Sequence, residues 1–188
     1  TLAAGFVPGR HESAVAATAA RRIVVIGATA KSARELLWQA IATGHEVTGI
    51  ARDPARVDLR HERLRVVQGD VLDVDSIAAV LEGDEVVISL VGPRVDPMKE
   101  VAGMDLYTRG TANIISAMQR KGNRRLLVAS SIGVENLPAV PKEKPAAGDV
   151  SRLWLWNSRA LYADMKAMED LVRASGLEYL IFRPAFIL

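Results

Sequence analysis

Arg22-Ile23-Val24-Val25-Ile26-Gly27-Ala28-Thr29-Ala30-Lys31-Ser32-Ala33-Arg34-Glu35-Leu36-Leu37 decides the fold. Ile23 to Ile26 form an apolar, β-favouring run without polar alternation, which reads as a strand buried on both faces. Gly27 breaks the run, and Glu35 to Ile41 takes up helical spacing. Strand, glycine turn and helix start bring unpaired N–H groups and the positive end of the helix dipole to one point. That is an anion site. Thr43-Gly44-His45 then turns the chain into a second strand, Glu46 to Ala51. The whole is a βαβ unit of the length that binds dinucleotides.

Outward from this unit, strands and helices alternate. Asp53-Pro54 opens a turn over Arg52 to Arg56, because proline bars a ladder position. A third strand is expected over Leu64 to Asp70. A helix over Ser76 to Leu81, capped by Asp75, follows with Ile77, Val80 and Leu81 on one face. Glu85 to Gly92 reads as the fourth strand and Pro93 to Gly103 as an irregular loop. A long helix from Asp105 to Lys121, closed by Gly122-Asn123, is expected to bury Ala112, Ile115, Ala117 and Met118. Arg125 to Ser131 is a fifth strand, and Glu135 to Val150, with three prolines, a loop. Leu153 to Ser175 returns to helix before a sixth strand, Leu177 to Arg183, which Pro184 stops. This alternation predicts an α/β fold: a Rossmann-type doubly wound parallel sheet in a single domain, 21–188. Ligands in such sheets lie beyond the carboxyl ends of the strands. Gly27 to Ala33, Arg52, Asp70, Leu90 to Arg94, Ser130-Ser131 and Pro184 to Phe186 fall there.

Composition narrows the function classes. With 188 residues, 49% of them hydrophobic, the chain can bury a core without staples. The net charge of +2, with no basic run interleaved with aromatics, argues against a nucleic-acid partner. There is no cysteine, so disulfides and cysteine metal sites are excluded. His11, His45 and His61 are scattered, and no metal is expected. The longest apolar runs are strand-sized, so no membrane partner is expected and a cytoplasmic location is. Residues 1–20 are Ala-rich with Gly5, Pro8 and Gly9, and read as a flexible or added extension with a short helix over Ser13 to Ala20. An acid-poor leader of transit type is the other reading.

Several pieces recur in a recognisable order: Ile26-Gly27-Ala28-Thr29, Gly44-His45-Glu46-Val47, Ala51-Arg52-Asp53-Pro54 and Gly69-Asp70-Val71-Leu72-Asp73. Gly110-Thr111-Ala112-Asn113-Ile114, Val128-Ala129-Ser130-Ser131, and Ser175-Gly176-Leu177-Glu178-Tyr179 through Arg183-Pro184 continue it. The set resembles the atypical short-chain dehydrogenase/reductases, within them the NAD(P)H-binding group of biliverdin-IX-beta (flavin) reductases and NmrA-like proteins. The resemblance runs from Arg21 to Leu188. It implies that Gly27, Thr29, Ala30, Lys31, Ser32 and Ala33 form the phosphate turn. Leu90, Val91 and Gly92 would line the cofactor, and Asp70 would meet the adenine edge. Arg52 stands where an acid would favour NAD and an arginine accommodates the 2′-phosphate, so NADP (NADPH) is the expected cofactor. The alternative is an exposed turn arginine paired with Asp53. The family turn has glycine at three spaced positions, and here Ala30 and Ala33 take two of them. Ala33 affects only helix–strand packing, whereas the Ala30 methyl lies where backbone must approach the pyrophosphate.

Tyr162 and Lys166, four apart in a helix, share a face. A cation beside a phenol lowers its pKa, so the tyrosine can relay a proton to a carbonyl oxygen, and Lys166 can also bind the nicotinamide ribose. Ser131, with Ser130 as the alternative, would hold the substrate oxygen, which resembles the family's Ser-Tyr-Lys trio. A half-buried tyrosine beside an exposed lysine is the structural alternative. Trp154 and Trp156 are candidates to wall a flat ligand, or to make core or oligomer contacts. Arg94 is a candidate to meet an anionic substrate. The resemblance also implies strand and helix beyond Arg183-Pro184, which leads us to expect an incomplete substrate pocket.

Two functions follow. One is an NADP-dependent oxidoreductase passing hydride to a small-molecule flavin, tetrapyrrole, quinone or carbonyl acceptor. The other is a non-catalytic NAD(P)-sensing regulator or scaffold of NmrA-like type, for which Ala30 and Ala33 speak. A homodimer is compatible with both. Replacing Ala30→Gly should tighten NADPH binding about fivefold in calorimetric titration, roughly 1 kcal/mol. Unchanged or weaker binding would show that the methyl is no obstacle.

Overall fold

The computed structural model describes residues 19–184, except Val95, Pro97, Met98 and Ala102, and of 136–139 only the backbone. The helix expected over Ser13 to Ala20 lies outside this range, save Ala19 and Ala20, which are not helical; Ala185 and Phe186 also lie outside it. Six parallel strands form one sheet in the order β3-β2-β1-β4-β5-β6. They are β1 (Arg22–Ile26), β2 (Glu46–Ala51), β3 (Leu64–Gln68), β4 (Val86–Ser89), β5 (Arg125–Ala129) and β6 (Glu178–Phe182). The connecting helices are α1 (Ala33–Ala42), α2 (Val74–Ala78), α3 (Leu106–Lys121) and α4 (Val150–Ala174). The strand order reverses between β1 and β4, so the binding crevice of this single Rossmann-type domain opens at their carboxyl ends.

The all-apolar reading of β1 is explained by its position. Ile23 and Val25 pack with Leu37, Ala40 and Ile41 of α1 on one face. Val24 and Ile26 face Ile114 and Met118 of α3 and Met168 of α4 on the other. At the far edge the cover thins: Leu180 and Phe182 of β6 are exposed.

Several boundaries differ from expectation, each for a local reason. The cap of α2 is Asp73, whose carboxylate accepts from Asp75 N (3.0 Å) and Ser76 N (3.3 Å). Asp75 instead sits in the first turn and reaches Arg120 at 2.9 Å. On α3 the inward stripe is Tyr107, Gly110, Thr111, Ile114, Ile115, Ala117 and Met118, which leaves Ala112 exposed. Gly122, at φ +84°, closes α3 in the left-handed conformation. A 3-10 segment, Ile132–Ala139, replaces the start of the expected loop, and α4 begins at Val150 because Asp149 accepts from Arg152 N.

The N-terminus of α3 is capped from another helix. Asp105, at the cap position, makes no side-chain cap bond. Asp164 of α4, 5% exposed, supplies it: Oδ2 accepts from Tyr107 N (2.8 Å) and Oδ1 from Thr108 N (3.0 Å), with the Thr108 hydroxyl bonded to the same carboxylate. Removing it strands one buried and one half-buried N–H group, so Asp164→Ala should cost about 2 kcal/mol in urea unfolding. Asp105→Ala, by contrast, should cost less than about 0.5 kcal/mol. Equal costs would place the cap on Asp105.

Candidate functional site

The glycine turn expected to hold phosphate follows β1. Gly27 has φ +89°, and a Cβ there would lie 3.0 Å from the carbonyl carbon and oxygen of Leu90. Only glycine lets the two chain crossings touch. Gly27 N and Ala28 N both donate to Ile50 O at 3.1 Å, while Ala30 N and Ala33 N donate within the turn to Gly27 O and Ala30 O. Ala33 is fully buried, so its methyl fits the helix–sheet contact. Ser32, the cap residue of α1, makes no side-chain cap bond, and of the first-turn amides those of Arg34 and Glu35 are left for an incoming acceptor. Thr29, Ala30, Lys31 and Arg34 line a groove of about 260 Å³ with Arg56, Val57, Asp58 and Leu59. Arg34 lies 3.6 Å from Asp58. Arg52 is exposed, and its guanidinium has no partner among the described residues. Asp53 instead accepts from Ala55 N, so the turn pairing with Arg52 is not formed.

On neighbouring strands the same edge carries the next components. Leu90 N donates to Ile26 O at 2.8 Å, and a Cβ on Gly92 would meet the Tyr107 hydroxyl. Asp70 accepts from Leu72 N at 3.0 Å, and Asn113 of α3 donates to Val71 O, fixing that turn. Beyond β5, Ser131 Oγ accepts from Gly133 N at 3.1 Å, and the Tyr162 ring and hydroxyl press on the same Gly133, which brings the two hydroxyl side chains to one place. The Tyr162 ring and hydroxyl lie against Gly133, where any Cβ would strike them. The Trp154 ring is 5.7 Å from the Tyr162 ring, inclined by 59°. Burial pushes the Tyr162 phenol up from its ordinary value, and the neighbouring Ser131 hydroxyl acts in the opposite direction.

Two expected roles change. The Lys166 ammonium is bonded to both carboxylate oxygens of Asp170, which lies one turn further along the helix. The expected lowering of the phenol by Lys166 is therefore replaced by a rise from burial. Ser130 is turned inward: it is 6% exposed and donates to Glu169 at 2.7 Å, leaving the edge to Ser131. Glu169 is fully buried on α4 and also accepts from Arg183 Nε (2.7 Å) and Arg173 (2.9 Å). Burial alone would raise its pKa, but the bonds from Arg183, Ser130 and Arg173 outweigh it and hold the carboxyl at about 2. Arg183 reaches on to Glu135 of the 3-10 segment at 2.8 Å.

A family described as NAD(P)H-binding matches residues 27–188. The chain belongs to the NAD(P)H-binding family. It is 31% identical over 86% of its length to a 3-diazoavenalumate denitrifying reductase of a Streptomyces species, covering 55% of that protein. It is 27% identical over 87% of its length to a cinnamoyl-CoA reductase 1 of Oryza sativa subsp. japonica, covering 52% of it. The chain thus spans about half the length of these curated relatives. A short-chain dehydrogenases/reductase of Veillonella parvula DSM 2008, solved in complex with NADP, shares the fold at TM-score 0.61 and 22% identity. That match covers 87% of this chain and 68% of the other.

As a member of the NAD(P)H-binding family, the chain has a donor set that suits its cofactor: the Arg34 and Glu35 amides at the start of α1, Lys31, Arg34 and Arg56 around one groove, and Arg52 exposed after β2. The larger surface depression, about 370 Å³ between Arg22, Arg63 and Glu85, lies at the opposite end of the strands. Arg94 and Gly92 are exposed beside the crevice. His45 and His61 accept from the backbone of Arg21 and Arg63. Among the described residues no acidic or histidine cluster could hold a metal, and no helix is long and apolar enough to cross a membrane. Sequence reasoning missed Tyr107, Asp164 and Glu169. Only Glu169 had a signal: seven residues after Tyr162, it is a charge on the inward face of its helix.

Because Glu169 is ionised in the folded chain down to about pH 2, its stabilisation is complete above its ordinary value of 4.5 and lost as pH falls from there towards 2. The full difference is about 3 kcal/mol. Urea midpoints of the native chain should fall more steeply between about pH 5 and pH 3 than those of Glu169→Gln. Parallel profiles would show that the carboxylate is not held in this way.

Proposed function

We propose that the protein is an NADP-dependent reductase that passes hydride from NADPH to a small flavin, tetrapyrrole, quinone or carbonyl acceptor in the cytoplasm. The observation that carries this reading is the placing of Ser131 beside Tyr162, through Gly133, two strands along the same sheet edge from the glycine turn after β1. When bound, the nicotinamide supplies the hydride. The amides and side chains of Thr29, Ala30, Lys31 and Ser32 hold the pyrophosphate on the start of α1. Arg52, free of partners, takes the 2′-phosphate, and Asp70 the adenine edge. Leu90, Val91 and Gly92 give a backbone wall that Gly27 keeps close. Tyr162, kept protonated by burial, donates a hydrogen bond or a proton to the acceptor oxygen, and Ser131 orients it. Lys166 joins the nicotinamide ribose by leaving Asp170. Trp154 forms the flat wall beside Tyr162, and Arg94 meets an anionic substituent.

A second reading, a non-catalytic NAD(P)-sensing protein, is favoured by Ala30 and by the Lys166–Asp170 pair. Binding and turnover separate the two. NADPH should bind more tightly than NADH in calorimetric titration, and Arg52→Ala should weaken NADPH about tenfold while leaving NADH unchanged. With a quinone, FMN or biliverdin as acceptor, Tyr162→Phe should lower kcat about a hundredfold. Binding without turnover of any acceptor selects the sensor, and absence of binding overturns both.

A further inference from the structure

Two adjacent serines end β5, and each is tied to a different turn of α4. Ser131 Oγ accepts from Gly133 N, on which the Tyr162 ring and hydroxyl press, and Ser130 donates to Glu169 at 2.7 Å. Tyr162 and Glu169 are seven residues apart, so both stand on the same helix face. The dipeptide is therefore bonded to one rigid element through Ser130 and packed beside it, through Gly133, at Ser131. Glu169 fastens three further pieces. Arg173 anchors it within α4, and Arg183 brings in the residue that follows β6. Through Arg183 it also reaches Glu135, in the 3-10 segment that contributes Gly133 beneath the Tyr162 ring. The backbone agrees: Ser130 N donates to Phe182 O at 2.7 Å and Ile132 N to Pro184 O at 3.2 Å.

We propose that Glu169 is a positioning residue: by holding Ser130 it sets the Ser131 hydroxyl against the Tyr162 phenol. A fully buried carboxylate taking bonds from one serine and two arginines has few alternative arrangements, so it fixes the end of β5 against α4. The kinetic consequence rests on the reductase reading, and the geometric one does not.

Tyr162 can be observed directly, because the chain has only three tyrosines. In protein labelled with ζ-carbon-13 tyrosine, the resonance lost in Tyr162→Phe identifies it. Ser131→Ala should move that resonance. Ser130→Ala, which leaves the Glu169–arginine pairs intact, should move it the same way by a comparable amount. Ser130→Thr, which keeps the hydroxyl, should restore it. Glu169→Gln should reproduce the Ser130→Ala shift, and the Ser130 series decides alone if that variant does not fold. With NADPH and FMN as the probe pair, Ser130→Ala should lower kcat about tenfold while the KM for NADPH stays within about twofold. A resonance at its wild-type position in Ser130→Ala, or one unmoved even in Ser131→Ala, overturns the proposal. If wild-type protein with NADPH turns over no flavin, tetrapyrrole, quinone or carbonyl acceptor, the reductase reading fails, and the resonance still decides the positioning role.

Discussion

Everything at the carboxyl edge of this sheet is referred to one close approach, that of Gly27 to Leu90. The chain leaving β1 must cross the end of β4 to start α1, and the two backbones meet at a separation that leaves no space for a side chain. That contact fixes where α1 begins, how Leu90 to Gly92 run past it, and how deep the crevice is at the reversal of strand order. A residue with a side chain at position 27 would have to push the β4 end away, opening the bond from Leu90 N to Ile26 O. The phosphate turn and the sheet are thus one construction.

Much of this was legible from residues alone. The apolar run of β1, the punctuation by Gly44, Gly122 and Gly176, and the alternation of strands with helices gave the parallel sheet, because each signal is local and chemical. The cap of α2 slipped by two residues because Asp73 and Asp75 both suit the position and sequence spacing does not rank them. Ala112 was misassigned because the buried stripe of α3 begins at Tyr107, an aromatic whose place depends on Gly92 and α4. The pairing of Lys166 shows the same limit. A lysine four residues after a tyrosine is also four residues before Asp170, and the helix offers both partners equally. Burial of the phenol against Gly133 and Trp154, a tertiary fact, moves its acidity the other way.

The long helix α4 concentrates what the sequence hides. It runs about 37 Å and presents Trp154, Tyr162, Asp164 and Glu169 inward, two of them carboxylates that would be costly to bury without donors. Their donors come from distant elements: the start of α3 for Asp164, and the ends of β5 and β6 for Glu169. A buried acid of this kind specifies how elements meet, because few other arrangements satisfy all of its lone pairs. The helix is therefore both wall of the site and clamp on the strands that carry it.

The contact between Gly133 and Tyr162 has a bearing on how other chains can be read. The ring occupies the volume that any side chain at position 133 would need. A chain with a larger residue there cannot hold a tyrosine in this pose, and one that has given up the tyrosine is released from the glycine. The two positions, 29 residues apart, are thus bound into a single two-letter signature. A glycine two places after the serine at the end of the fifth strand, found together with the helix tyrosine, marks a chain able to build this hydroxyl pair. Either letter without the other marks one that must pack this corner differently.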